Sequence, residues 1–281
     1  MQIEFFGRID IPDLLAHGHS VGWYQQRDWE CFVDNGIVFG HRTEKGKIVS
    51  SAVVLKYGPE LSWLTGCVVN PAFQGQGLGN EIMKSVMRVY NNSTENFAFV
   101  TTAEAKPLYE KNGFKVVSNT SKFISDEGFS IPTFPLPKGY KIRPYEHADF
   151  QKICELDYSA LAADRKVVIE YRLKQSSHIL VLEDSERVVC GFIFGAVVNK
   201  RQLLGPIIAP DTQLATSLIA EISKHGSGSM RIDLTGWQSQ LSEKLIRLGF
   251  SLDNIWPIMS YQEKRLFESP FYFGMMAQSL G

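Results

Sequence analysis

Three glycines at alternate positions, in Gln74-Gly75-Gln76-Gly77-Leu78-Gly79-Asn80, stand between two patterned stretches. Before them an apolar run ends in Val68-Val69-Asn70-Pro71, and after them Glu81-Ile82-Met83-Lys84-Ser85-Val86-Met87 carries apolar residues at helical spacing. Glycine leaves the main chain bare. N–H groups there can close on an anion, and the first turn of a helix adds positive potential at the same point. The chemistry suits a phosphate or a pyrophosphate. A mononucleotide loop would end in Gly-Lys-Ser/Thr, whereas this one runs on as Gly79-Asn80-Glu81. The dinucleotide fingerprint is G-x-G-x-x-G, whereas the spacing here is G-x-G-x-G, with no evident opening βαβ unit or acidic strand end. A glycine-rich turn that holds nothing is the plain alternative.

Gln74, Gly77 and Gly79 also fill a third pattern, Q/R-x-x-G-x-G/A. In this the chain resembles the GNAT superfamily of acyl-CoA-dependent N-acyltransferases. Ala105-Lys106-Pro107-Leu108-Tyr109-Glu110-Lys111-Asn112-Gly113-Phe114 is similar to that family's fourth helix and the turn after it, and the apolar strand Phe97-Ala98-Phe99-Val100 lies between the two motifs. The resemblance implies that acetyl-CoA is the co-substrate and that the loop from Gln74 through Gly75, Gln76, Gly77, Leu78 and Gly79 to Asn80 holds its pyrophosphate. It implies that the strand around Cys67, Val68 and Val69 pairs with the pantetheine arm, one N–H polarising the acyl carbonyl. It gives Tyr109 the role of proton donor to the departing thiolate. Thr102 stands near the place where many relatives carry Asn for the pantetheine arm, and is kept as a cofactor-binding candidate. The chemistry requires no metal.

The attacking amine must be neutral, and here the sequence names no base. Glu60, Glu30, Asp34, His19 and His41 are candidates, each more often an ordinary solvated or hydrogen-bonded group. Trp23, Tyr24 and Trp29 could line the acceptor pocket, although core packing is the commoner use of such side chains.

These residues need a scaffold, and 281 residues suffice for two domains. In residues 1–125 the pattern predicts a strand at 3–6, two short helices within 13–34 with Ser20 as a cap, and strands at 36–41, 47–55 and 61–69. The glycine loop and its helix follow to about 90, then strand 97–101, helix 106–112, and strands at 114–117 and 121–124. Residues 126–139 carry three prolines and two glycines and read as a linker of restricted flexibility. Residues 140–281 repeat the order: a hairpin over 179–198, a strand at 203–209, a helix at 212–224, a strand at 231–234 and a helix at 241–248. Pro71 to Gly113 spans 42 residues and Pro210 to Gly249 spans 39, which suggests duplication. The fold expected is α+β (α/β), two tandem GNAT-like domains, each a mixed, mostly antiparallel twisted sheet flanked by helices.

The second copy lacks the chemistry of the first. Superposing Pro210 on Pro71 sets Gln213 on Gln74, but Leu214, Thr216 and Leu218 on the three glycines, and the later motif sets Leu245 on Tyr109. Asp211 would cap the helix and repel phosphate. The tandem order, with an active first half and a degenerate second, resembles a bacterial group of two-GNAT proteins, as does the closing segment 272–281.

Apolar content of 44% and charged content of 21% suit a soluble globular chain, and a net charge of −1 gives no electrostatic case for nucleic acid or an anionic membrane. The first thirteen residues carry charge where a secretory core would lie, and Cys31, Cys67, Cys154 and Cys190 show neither metal spacing nor a disulfide framework, so a cytoplasmic location is expected. The function expected is N-acetylation of a small-molecule primary amine by direct attack, in a monomer or homodimer. A protein or peptide N-acetyltransferase, or a non-catalytic acyl-CoA sensor, are the alternatives.

Overall fold

A computed structural model describes residues 1–281 except 23–24, 60, 91–95, 130, 199, 227 and 262–267, and the side chains of 89–90. The strands are β1 (Ile3–Phe6), β2 (Gly36–Arg42), β3 (Ile48–Lys56), β4 (Leu61–Val69), β5 (Asn96–Val100), β6 (Lys115–Ile124), β7 (Lys141–Pro144), β8 (Ser176–Glu183), β9 (Val189–Val198), β10 (Arg201–Ile208), β11 (Met230–Thr235), β12 (Ser251–Ser260) and β13 (Tyr272–Gly274). The helices are α1 (Ile11–His19), α2 (Gln26–Asn35), α3 (Leu78–Tyr90), α4 (Lys106–Lys111), α5 (Phe150–Leu161), α6 (Lys166–Gln175), α7 (Thr212–Ser223) and α8 (Ser239–Arg247). None of these helices is long and apolar enough to cross a membrane.

The chain forms two compact units, 1–116 with 259–264 and 117–258 with 265–281. In the first, β1 to β5 follow in order, antiparallel except for the parallel β4–β5 pair. Strand β3 is buried from Ile48 to Leu55, so its apolar residues run together instead of alternating. Ile82, Met83 and Val86 share one face of α3 and pack on Val54, Leu64, Phe97, Phe99, Tyr109 and Phe114. The tip of β12 completes this unit beside β5: Ser260 Oγ donates to Asn96 Oδ1 (2.7 Å) and the Tyr261 N–H to the Phe97 carbonyl (3.0 Å).

In the second unit β7 to β11 repeat that order, with β10–β11 parallel, and β6 pairs antiparallel with β11 from Arg231↔Ile124 to Thr235↔Thr120. The two strands expected at 114–117 and 121–124 are one continuous β6. It begins in the first unit, and its remainder belongs to the second. The unit boundary therefore falls at 116 where 125 was expected, and the second half of the chain returns 259–264 to the first unit. Residues 126–139 form no helix or strand among those described, and they are less free than a linker. Ile131 is buried in the second core, Phe134 and Leu136 pack on it, and Phe129 sits edge-on to Phe250 with centroids 5.4 Å apart. Ser20 closes α1 at its C-terminal end, its hydroxyl donating to the His17 carbonyl (2.6 Å); it does not begin the next helix.

Candidate active site

The glycine loop sits where β4 gives way to α3. Asn70, which is buried, opens the turn: its side-chain oxygen accepts from the Ala72 N–H (3.1 Å) and its Nδ2 donates to Ser20 Oγ (3.1 Å). Gln74 Nε2 donates back to the Val69 carbonyl (3.1 Å). Gly75 and Gly77 have φ of +76° and +86°, a left-handed conformation that a side chain resists, and an added Cβ at either would meet nothing of the protein within 4 Å. Gly79 has a different reason: its Cβ would lie 3.2 Å from Leu108, so the helix crosses α4 closely there.

The main-chain donors divide cleanly. Asn80 and Glu81 give their N–H groups to the Gly77 carbonyl, at 3.0 and 3.1 Å, and Gln74 gives its own to Pro71 at 3.3 Å. Gly75, Gln76, Gly77, Leu78 and Gly79 have no main-chain or side-chain acceptor among the described residues. Five successive unclaimed donors at the start of a 13-residue helix are a ready anion cradle. Just past it the Glu81 carboxylate is engaged by His41, whose Nε2 lies 3.0 Å from Glu81 Oε2 and whose Nδ1 lies 2.7 Å from Ser50 Oγ.

Beside the cradle lies the end of β4. Its ladder to β5 runs Leu61↔Asn96, Ser62↔Phe97, Trp63↔Ala98 and stops, so Cys67, Val68 and Val69 lie past the last rung. On the other side β4 stays paired with β3, through a register shift between Ser51 and Val53 that re-aims the strand near Gly66. Tyr109 reaches this edge from α4. It is only 5% exposed, its ring packs on Phe99 (4.3 Å) and Phe114 (6.2 Å), and its side chain hydrogen-bonds the Cys67 thiol. Burial pushes that thiol up to about 12, against the pull of the phenol, so Cys67 stays protonated. Cys67, Val68, Val69, Tyr109 and the loop 74–80 thus converge. Thr102 stands at the entry to α4, where its hydroxyl accepts from the Ala105 N–H (3.3 Å) and bonds Glu104.

The other candidates disperse. Glu30 accepts from Gln26 (2.9 Å) on an exposed face of α2, Asp34 pairs with Arg8, His41 is committed as above, and His19 is exposed. Trp29 is fully buried and packs edge-on against Phe32 (5.7 Å), a core role. Trp23, Tyr24 and Glu60 lie outside the described residues. Sequence reasoning misses His17. It is 2% exposed, and burial lowers its pKa to about 4, partly opposed by the nearby Val68 main chain. A buried imidazole on α1 is invisible to motif reading because no pattern surrounds it.

In the second unit α7 starts at Thr212, directly after Pro210-Asp211, whereas α3 starts seven residues beyond Pro71. The glycine loop is thus absent, and Leu214, Thr216 and Leu218 are buried inside the helix. Asp211 Oδ1 accepts from the Leu214 N–H (2.8 Å), as the sequence predicts.

Comparisons with known proteins bear on the family and the fold. Family models described as an acetyltransferase (GNAT) domain match residues 34–116 and, separately, 153–270. The chain is 26% identical over 273 residues to "Uncharacterized N-acetyltransferase YitH" of Bacillus subtilis (strain 168), covering 96% of this chain and 95% of that protein. Its fold is similar to that of a protein from Pyrococcus horikoshii (TM-score 0.78, 17% identity, 100% of this chain and 95% of the other). It is similar as well to a tandem GNAT protein from the clavulanic acid biosynthesis pathway (TM-score 0.70, 11% identity, 92% and 98%).

Proposed function

Because this chain belongs to the GNAT acetyltransferase family, with two such domains in tandem, we propose that its first unit moves the acetyl group of acetyl-CoA to the primary amine of a small molecule by direct attack. The observation that carries this reading is the run of five unclaimed N–H groups from Gly75 to Gly79 beside the open edge of β4. The diphosphate of coenzyme A is the anion such a run suits, because its oxygens can accept from donors that no protein group has claimed.

Held there, the cofactor lays its pantetheine amides along Cys67–Val69, and a main-chain N–H of that edge polarises the thioester carbonyl. The amine nitrogen attacks the carbonyl carbon, the C–S bond breaks, and the thiolate takes the Tyr109 phenol proton. The phenol's present partner, the Cys67 thiol, supports the reach this needs: the hydroxyl already addresses a sulfur at the edge of β4. The amine's surplus proton leaves to water, and no side chain is assigned as its base. A cytoplasmic location and a monomeric or homodimeric state complete the reading.

The test is calorimetry with acetyl-CoA followed by release of free CoA thiol across a panel of amines. The expected result is tight binding, with thiol released by small primary amines. Absence of heat would sink the cofactor reading. Heat without release from any amine would mark a sensor, and release with peptide amines alone would make the acceptor a peptide.

A further inference from the structure

In the second unit the counterpart of the open β4 edge is occupied. The parallel ladder of β10 and β11 runs Gln202↔Met230, Leu203↔Arg231, Leu204↔Ile232 and ends, as the β4–β5 ladder does. Past that last rung β13 lies between the two strands. It pairs antiparallel with β10 at Ile207↔Gly274 and Ile208↔Tyr272, and with β11 at Leu234↔Gly274. Pro210 matches Pro71 in the repeat, so Ile207-Ile208 stand where Val68-Val69 stand in the first unit.

The fit is close. The Met275 N–H donates to the Asp233 carbonyl (2.8 Å) and the Ala209 N–H to the Phe271 carbonyl (3.1 Å). Gln238 Nε2 donates to the Tyr272 carbonyl (3.0 Å), and Arg165, ion-paired with Asp157, reaches the Tyr272 hydroxyl (3.3 Å). Tyr272, Phe273, Met275 and Met276 are at most 2% exposed. A Cβ at Gly205 would lie 2.0 Å from the Met275 carbonyl oxygen, so β10 carries glycine where this segment crosses it.

We propose that the fork between β10 and β11 is a binding groove for extended main chain, filled by residues 271–276 of this same chain in the place that the first unit keeps for pantetheine, and that the second unit takes no acyl-CoA. The inference rests on the reading of the β4 edge given above. The chemistry is the same in both forks: strand edges that stop pairing need a partner with alternating N–H and C=O groups. A pantetheine arm offers two amides, and a peptide strand offers more. With no phosphate loop ahead of α7 to favour the cofactor, the peptide holds the groove.

Hydrogen exchange on the full-length protein, free and saturated with acetyl-CoA, tests this beside the calorimetry. The amide of Met275 should exchange at least about a thousandfold more slowly than in unstructured chain, with or without the cofactor. Binding should show one site per chain, lost in Gly77→Asp. Fast exchange at Met275 in the free protein would overturn the inference. So would faster exchange on adding acetyl-CoA, a second site, or a site that survives Gly77→Asp. No heat at all, with Met275 still protected, would uphold the filled groove and sink the reading of the first unit.

Discussion

Replacing Gly77 with Ala separates what the loop does for the fold from what it does for the ligand. At φ +86° an alanine pays the left-handed penalty, about 1–2 kcal/mol of stability. It meets no protein atom within 4 Å, so packing adds nothing further. Gly46, in the turn between β2 and β3, has φ +85° and equally empty surroundings, which makes Gly46→Ala a matched control. Both variants should therefore lose similar stability in urea unfolding. They should differ in calorimetry with coenzyme A. At Gly77 the new methyl group stands within the run of five unclaimed N–H groups, and a lost hydrogen bond to a charged group costs about 1.5–3 kcal/mol. Gly77→Ala should then weaken the affinity roughly 10- to 150-fold, with Gly46→Ala unchanged. Equal affinity in the two variants would refute the claim that the loop's main chain grips the cofactor.

Three further outcomes follow from single contacts. Tyr109→Phe should lower turnover by about a hundredfold or more while leaving coenzyme A affinity within about twofold, since in the proposed mechanism the phenol acts on the leaving group; unchanged turnover in a steady-state assay would remove the assignment. His17, buried neutral with a pKa near 4 against an ordinary 6.5, binds its proton more readily in the unfolded chain. Its contribution is intact above pH 6.5 and is lost as pH falls from there to 4, by about 3 kcal/mol at most; His17→Leu should flatten that part of the pH–stability curve, and an NMR titration placing His17 near 6.5 would contradict it. Asp157→Asn leaves the Arg165 guanidinium, 1% exposed, without its carboxylate. It should cost about 3 kcal/mol or more in denaturant unfolding, and a loss within the error of the measurement would show the pair to be dispensable.

The contrast between the two units explains which features a single sequence can reveal. The cradle was legible because alternate glycines have a local cause: Gly75 and Gly77 need positive φ where a helix begins, and that need is written at those positions alone. The same holds for Asp211, whose capping bond to the Leu214 N–H spans three residues. Strand partners have no such local cause. The apolar pattern over 114–124 announces extended chain, yet nothing in it says that Phe123 will face Ile232 across more than a hundred residues of sequence. Tyr272-Phe273-Gly274 reads as a short apolar run near the end, and only the fork between β10 and β11 turns it into a buried strand. His17 escaped for a related reason, since its burial is set by neighbours that α1 acquires only on folding. The missing glycines of the second unit were read from the side chains that replace them, but the physical difference is larger. The loop itself is gone, and a helix beginning at Thr212 spends its first donors on its own cap. A fork without its anion cradle still has two strand edges to satisfy. The chain's own residues 271–276 satisfy them, and the fork that lacks the loop is the one that holds β13.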